Sequence, residues 1–546
     1  MLLYLDTLID RVAVASRWLV LLAMLLVATH AGGAVNPETV RDLALGEGDA
    51  RASAIAAIVA SGDPSALSLL QSMQDGDVKT TGDDRVYLIK GEEAVDLLTG
   101  KTVKPVPDNL DDLVINNRLR RELGMAIAAL RLSFPERTAR LAAARELQGG
   151  ADEITLPAIS AALAKETDPE IKSILALTQA SVQLSSNDKT TRLAAVRALA
   201  QSDSGSVKTL LLALLERKGG EYVERDAELR AEAERSLRAV EQRLSTGEMV
   251  GRVFSGISLG TILLLAALGL AITYGLMGVI NMAHGELIMI GAYATYVVQN
   301  IFRQHFPGAF DAYLLCAIPV AFAVSAVVGM VLERTVIRFL YGRPLETLLA
   351  TWGLSLILIQ SVRTIFGAQN VQVENPSWMS GGVEIMTSVV LPWSRIAIIV
   401  FAGGVLALMW VLLSRTRLGL FVRAVTQNRG MASSLGVPTV RVDMLAFGLG
   451  SGIAGLAGCA LSQIGNVGPD LGQSYIVDSF MVVVLGGVGQ LAGTVYAALG
   501  LGVVNKFLEA WQGAVLAKIA VLVFIIIFIQ KRPQGLFALK GRTVEA

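Results

Sequence analysis

Asn281, His284 and Glu286 lie close together in residues 274–293, a stretch that is otherwise apolar and long enough to cross a bilayer. Polar and ionisable groups in hydrocarbon are costly unless they face protein or water, so such a cluster marks a candidate functional site. Asn281 can donate and accept hydrogen bonds, a neutral His284 can do the same, and an ionised Glu286 can only accept. This mix suits passing contacts with a small polar solute. The competing reading is a satisfied polar cluster that fixes helix contacts, because buried polar residues in membranes also act as packing glue.

A second set of candidates occupies residues 415–441. Five arginines (Arg415, Arg417, Arg423, Arg429 and Arg441) occur there with no acid among them. Within the stretch, residues 424–436 read as a helix ending at Gly436, with Pro438 just beyond as a stop. Met431, Ala432 and Leu435 make an apolar edge suited to a groove on a partner. Gly430 weakens the continuity of that helix. Anchoring of the arginines to lipid headgroups is the alternative.

The elements that must position these residues follow from how charge and hydropathy are distributed. The chain has 546 residues, 53% of them hydrophobic and 17% charged, with 47 basic and 47 acidic side chains. Its mean hydropathy is +0.55. Up to residue 250 acids predominate, and beyond it bases do. The first part therefore reads as water-soluble and the second as membrane-embedded. Apolar runs fall near 254–273, 276–299, 312–333, 347–366, 389–413, 442–463, 475–489, 492–508 and 514–530. The run at 475–489 is short for a span of about 20 residues, so eight or nine crossings are expected.

By the positive-inside rule, residues 334–343, 415–441 and the basic tail from Lys531 belong on the cytoplasmic side. Residues 367–388 carry Glu374 and Glu384 but no base, and belong outside. Lys506 and Lys518 sit on the expected outer side, against the rule. Glycines crowd 448–458 and 486–493. The first group reads as helix packing, the second as a broken helix lining a cavity.

Arg11 and Arg17 precede a short apolar core and small residues, so residues 1–34 read as a signal peptide or signal anchor. Residues 35–248 are then exported. They read as an Ala/Leu-rich HEAT-like helical array, with Arg140-Leu-Ala-Ala-Ala-Arg-Glu-Leu147 echoed at 192–199 and more weakly at 230–237. A small β-hairpin is expected within 83–106. Gly100-Lys101-Thr102 lacks the earlier glycine of a phosphate-binding loop, because Val95 stands there. Cys316 and Cys459 exclude a disulfide framework, and the three scattered histidines suggest no metal site or cofactor. No basic patch of the kind that binds nucleic acid is present.

Gly278-Val-Ile-Asn-Met-Ala-His-Gly-Glu286, Arg417-Leu-Gly, Met431-Ala-Ser-Ser-Leu-Gly-Val437 and the glycine segment 484–493 together resemble permease subunits of branched-chain amino-acid ABC importers. The likeness covers about residues 250 to 542. An exported domain ahead of the permease, together with Lys531-Arg-Pro-Gln-Gly-Leu-Phe537, is similar to the urea-transport branch of that family. The resemblance implies an all-α polytopic permease at 250–532 with a cytoplasmic tail at 533–546, in a bacterial inner membrane. It implies no ATPase activity of the chain's own. The partners implied are a second permease subunit, two cytoplasmic ATPase subunits and a periplasmic substrate-binding protein. It also implies that Arg423, Asn428, Met431, Ala432, Leu435 and Gly436 form the ATPase coupling loop. Asn281, His284 and Glu286 remain candidates for the path of a small polar substrate, either urea or a branched-chain amino acid.

Overall fold

The computed structural model describes residues 36–537 apart from positions 47, 92, 108, 114, 279, 280, 387 and 388. The leader at 1–34 and the tail from 538 lie outside the described residues. The chain divides into two compact units, Met1–Arg243 and Leu244–Ala546.

The first unit opens with helices α1 (Pro37–Leu45), α2 (Asp49–Ser61) and α3 (Pro64–Asp75). Strands β1 (Val78–Thr80), β2 (Val86–Lys90), β3 (Glu93–Asp96), β4 (Thr102–Val103) and β5 (Asp111–Asp112) follow as one antiparallel sheet, ordered β4-β3-β2-β1-β5. The expected hairpin is thus the middle of a five-stranded sheet. The outer strands, of two residues each, are too short to show an alternating pattern in sequence.

Helices α4 (Asn117–Arg131), α5 (Arg137–Gln148), α6 (Leu156–Lys165), α7 (Pro169–Gln183), α8 (Lys189–Leu199) and α9 (Gly205–Leu214) come next. They are followed by the hairpin β6 (Arg217–Lys218) and β7 (Glu221–Tyr222). Helix α10 (Ala227–Met277) contains the boundary between the units. Leu43, Ile55, Ile58, Leu70, Leu123, Leu147 and Leu175 are fully buried in the core of the first unit.

The sequence echo reappears as matched ion pairs. Arg137 holds Asp168 at 2.7 Å and Glu170 at 2.6 Å, and Lys189 holds Asp226 and Glu228, each at 2.8 Å. Arg140 pairs with Glu166 as Arg192 pairs with Glu224. The basic helices α5 and α8 are therefore equivalent. The run at 230–237 lies on α10, where Glu228 and Glu232 answer the bases of α8 and Arg230 donates to the Glu224 and Arg225 carbonyls as Arg140 does to those of Phe134 and Pro135.

The second unit continues α10 and adds α11 (His284–His305), α12 (Tyr313–Thr335), α13 (Pro344–Phe366), β8 (Gly382–Met386), β9 (Val389–Pro392) and α14 (Trp393–Arg415). Two short helices, α15 (Arg417–Gln427) and α16 (Arg429–Ser434), precede α17 (Thr439–Ser462), α18 (Gln473–Gly486), α19 (Leu491–Gln512) and α20 (Ala514–Lys531). Among the described residues seven helices are long and apolar enough to cross a membrane. Helices α11 and α18, the latter only 14 residues long, occupy the other two expected places. Two boundaries differ from expectation. The fifth span starts at Trp393 because residues 389–392 pair with β8. The second starts at His284, beyond a break in the backbone.

Glycines of α17 let three neighbours approach closely. A Cβ at Gly450 would meet the Gly269 backbone of α10. One at Gly455 would meet Ser325 and Ala321 of α12, and one at Gly458 the Ile288 backbone of α11. Such small-residue contacts replace the missing hydrophobic drive between helices in lipid. Residues 487–490 link α18 and α19 as a tight turn, with Gly487 at φ +99 and the Gly486 backbone against Gly493. Lys506 and Lys518 are paired with Glu509 at 2.6 Å and Asp478 at 3.5 Å.

Candidate functional site

The apolar run at 274–293 is not one helix. Helix α10 ends at Met277, and Gly278 takes a left-handed conformation with φ +67 that suits glycine. A new helix starts at His284. The polar trio therefore sits at the start of α11 rather than in mid-helix. Asn281 Oδ1 accepts from the Ala283 N–H at 3.0 Å, and Thr351 Oγ1 of α13 accepts from the Met282 N–H at 3.2 Å. These bonds satisfy backbone donors that the break leaves without helical partners.

All three side chains are buried: Asn281 is 1% exposed, His284 0% and Glu286 2%. His284 Nε2 lies 2.9 Å from the Ala266 carbonyl of α10. A carbonyl only accepts, so Nε2 carries the proton and Nδ1 keeps its lone pair. The imidazole packs on Gly269, where a Cβ would strike its Cε1. His284 thus pins α11 to α10, which is the packing role in concrete form. Glu286 Oε1 accepts from Ser355 Oγ of α13 at 2.7 Å. Close backbone approaches of Gly285 to Gly472 and of Gly291 to Gly455 hold the start of α11 in place. Three buried atoms have no hydrogen-bond partner among the described residues: Asn281 Nδ2, His284 Nδ1 and Glu286 Oε2. They supply the amide N–H donors of Asn281, the lone pair of His284 Nδ1 and a carboxyl oxygen of Glu286.

Thr351 and Ser355 were not singled out from sequence. Their signal is a stripe of hydroxyl residues, Thr347, Thr351 and Ser355, at four-residue spacing on an apolar helix, which puts all three on one face. All three are buried.

At the arginine segment, Gly419 forms the corner between α14 and α15, where a Cβ would run into the Leu413 backbone. Arg423 closes the same corner by donating to the Leu413 carbonyl at 2.9 Å. The expected single helix is two pieces, and the break falls at Asn428 rather than Gly430. Asn428 has φ −156 and ψ 102, and its side chain caps α16 by accepting from the Met431 N–H at 2.9 Å. The competition of an Asn side chain with helical continuation explains the break. At the other end the Gly436 N–H donates to the Ser433 carbonyl and the Val437 N–H to the Ala432 carbonyl, both at 3.0 Å. With Gly436 at φ +85, this is a Schellman termination.

Ala432 is buried in a small cluster with Val425, Val442 and Ala446, which seats α16 on the start of α17. Met431 and Leu435 are 60% and 77% exposed. The apolar edge expected from sequence is thus divided. Ala432 faces inward and anchors, while the two longer side chains project.

Comparison with known proteins bears on this arrangement. Residues 252–530 match the family described as branched-chain amino acid transport system / permease component. The chain belongs to this permease family. It is 29% identical over 292 residues to the high-affinity branched-chain amino acid transport system permease protein LivH of Salmonella typhimurium, covering 52% of this chain and 94% of that protein. Against BraD of Pseudomonas aeruginosa the identity is 28% over 291 residues, with the same coverage. A more distant relative is the probable LivH of Methanocaldococcus jannaschii, at 22% over 296 residues. No solved structure matches the chain. The permease is a multi-pass membrane protein and a permease component of an ABC-type transport system. The polar break and the arginine segment both fall inside the matched region, and residues 36–251 lie outside it.

Proposed function

We propose that this permease carries urea across the bacterial inner membrane by alternating access, driven by ATP hydrolysis on two cytoplasmic ATPase subunits. A second permease subunit completes the membrane part, and a periplasmic binding protein delivers the substrate. The N-terminal domain is periplasmic and the C-terminus cytoplasmic.

The observation that carries the energy-coupling part is the build of α16. A six-residue helix is capped at both ends, seated by Ala432, and presents Met431 and Leu435 outward. Projecting apolar residues on a short rigid element suit a groove on a partner. The five arginines around it suit the cytoplasmic side.

For the substrate, the amide NH2 of Asn281, the lone pair of His284 Nδ1 and the carboxyl oxygen of Glu286, without partners among the described residues, complement a solute with one carbonyl and two amide NH2 groups. Urea has that pattern. A branched-chain amino acid is the second reading, favoured by what the curated relatives are named for. Co-purification tests the coupling part. Tagged permease should retain a nucleotide-hydrolysing subunit, and a Met431→Glu, Leu435→Glu variant should lose it. Retention by that variant would refute the docking role.

A further inference from the structure

Arg429, the first residue of α16, reaches away from the projecting face. Its guanidinium forms an ion pair with Asp443 in the first turns of α17. It also lies over the Tyr341 ring, 4.7 Å from the ring centre. The Tyr341 hydroxyl donates to Glu333 Oε1 near the end of α12 at 3.3 Å. Asp443 and Glu333 are each 1% exposed, whereas the Arg429 side chain is 44% exposed. One oxygen of each acid, Asp443 Oδ1 and Glu333 Oε2, has no hydrogen-bond partner among the described residues. A cation reaching in from the surface thus joins α16 to the acid of α17 and, through Tyr341, to the end of α12.

The physical consequence is directional. Withdrawing the partner of a buried carboxylate is strongly unfavourable, because the charge is left uncompensated in low dielectric. Arg429 therefore cannot move away unless α12 and α17 adjust. Both helices bear on the polar break. Ser325 of α12 donates to the Leu287 carbonyl of α11 at 3.1 Å, and Gly455 of α17 lies against Gly291.

We propose that Arg429 is a positioning residue that transmits displacement of α16 to α12 and α17, and through them to the start of α11. The proposal rests on the reading of α16 as the ATPase contact. It adds the route by which that contact reaches the membrane helices.

Two readouts on the intact permease and its assembled complex test it. The first is hydrogen exchange of residues 424–437 in the permease without ATPase subunits. The second is uptake of labelled urea per ATP hydrolysed in proteoliposomes. Arg429→Gln should raise exchange in that segment and lower uptake per ATP, each by about tenfold, with ATP hydrolysis persisting. Arg429→Lys, which keeps a charge for Asp443 but loses planar stacking on Tyr341, should fall between. Asp443→Asn should raise exchange like Arg429→Gln, and the double variant should do little more than either alone, because the two residues act as one unit. The double variant also buries no unpaired Asp443 charge, and so serves if the single variant fails to fold.

Unchanged exchange in Arg429→Gln would overturn the clamp. Raised exchange with unchanged uptake per ATP would overturn the transmission. Failure of the underlying reading looks different: wild-type uptake that proceeds without any ATPase subunit.

Discussion

Gly436 offers the sharpest single-residue test of the arginine segment. Its φ of +85 lies where an L-residue pays for contact between Cβ and the following carbonyl, about 1–2 kcal/mol. A Cβ there would meet nothing within 4 Å, so the penalty is conformational rather than a clash. The same residue anchors the two hydrogen bonds that end α16. A helix of six residues has little else to hold it beyond the Asn428 cap, the Ala432 seat and the Arg429–Asp443 ion pair. A loss of about 1–2 kcal/mol shifts a local equilibrium by about 5- to 30-fold. Graded substitution should reveal this. Asn, which tolerates the left-handed region, should be mild, Ala intermediate, and the β-branched Val most harmful. In proteoliposomes holding the full complex, uptake per ATP should fall in that order while ATP hydrolysis persists. Exchange of residues 424–437 should rise in the same order. Wild-type coupling by Gly436→Val would refute the claim that this termination sets the geometry of the contact.

Three further outcomes are expected. Gly291→Val places a side chain on the Gly455 backbone and should destabilise the membrane unit by about 1–3 kcal/mol or more, read as lower yield and thermal stability in detergent; a normal protein would contradict the packing described. The Asn281→Leu, His284→Leu double variant should lose uptake while still assembling with its partners, and uptake at the wild-type rate would remove both residues from the pathway. In the first unit, Arg140 holds the Glu166 carboxyl below the usual range, Arg137 does so for Asp168, and Lys189 for Asp226. The folded state then binds fewer protons than the unfolded one, so this stabilisation is present at neutral pH and fades as pH falls through about 4 and below. Exchange within 137–183 and 189–232 of the intact protein, corrected for intrinsic rates, should rise there, whereas flat protection would argue against it.

Most of the membrane architecture is legible in the sequence because hydropathy over about 20 residues is a strong signal. The break before α11 is not, because the run at 274–293 is apolar apart from Asn281, His284 and Glu286 and Gly278 alone hints at where the helix stops. The split of α15 from α16 is hidden for a related reason, since the stretch reads as one helix weakened at Gly430. Gly430 has the lower helix propensity, but Asn428 has a side chain able to capture a backbone N–H. The hydroxyl stripe of α13 was visible at its four-residue spacing, and its meaning emerged only once Ser355 met Glu286. Asp443 lies just past the acid-free stretch that ends at Arg441, so counting charge alone hides the one acid that Arg429 engages. Two-residue strands such as β4 and β5 carry no periodicity, and their place comes from long-range pairing with β3 and β1.

Transport itself is the most direct test of ATP-driven urea import by this permease. Proteoliposomes containing this permease, its partner permease, the ATPase subunits and the binding protein would be loaded with ATP and offered labelled urea or labelled leucine. Urea should accumulate, accumulation should stop when the ATPase subunits are made hydrolysis-deficient, and leucine should be excluded. Accumulation of leucine in place of urea, or urea entry that persists without hydrolysis, would contradict it.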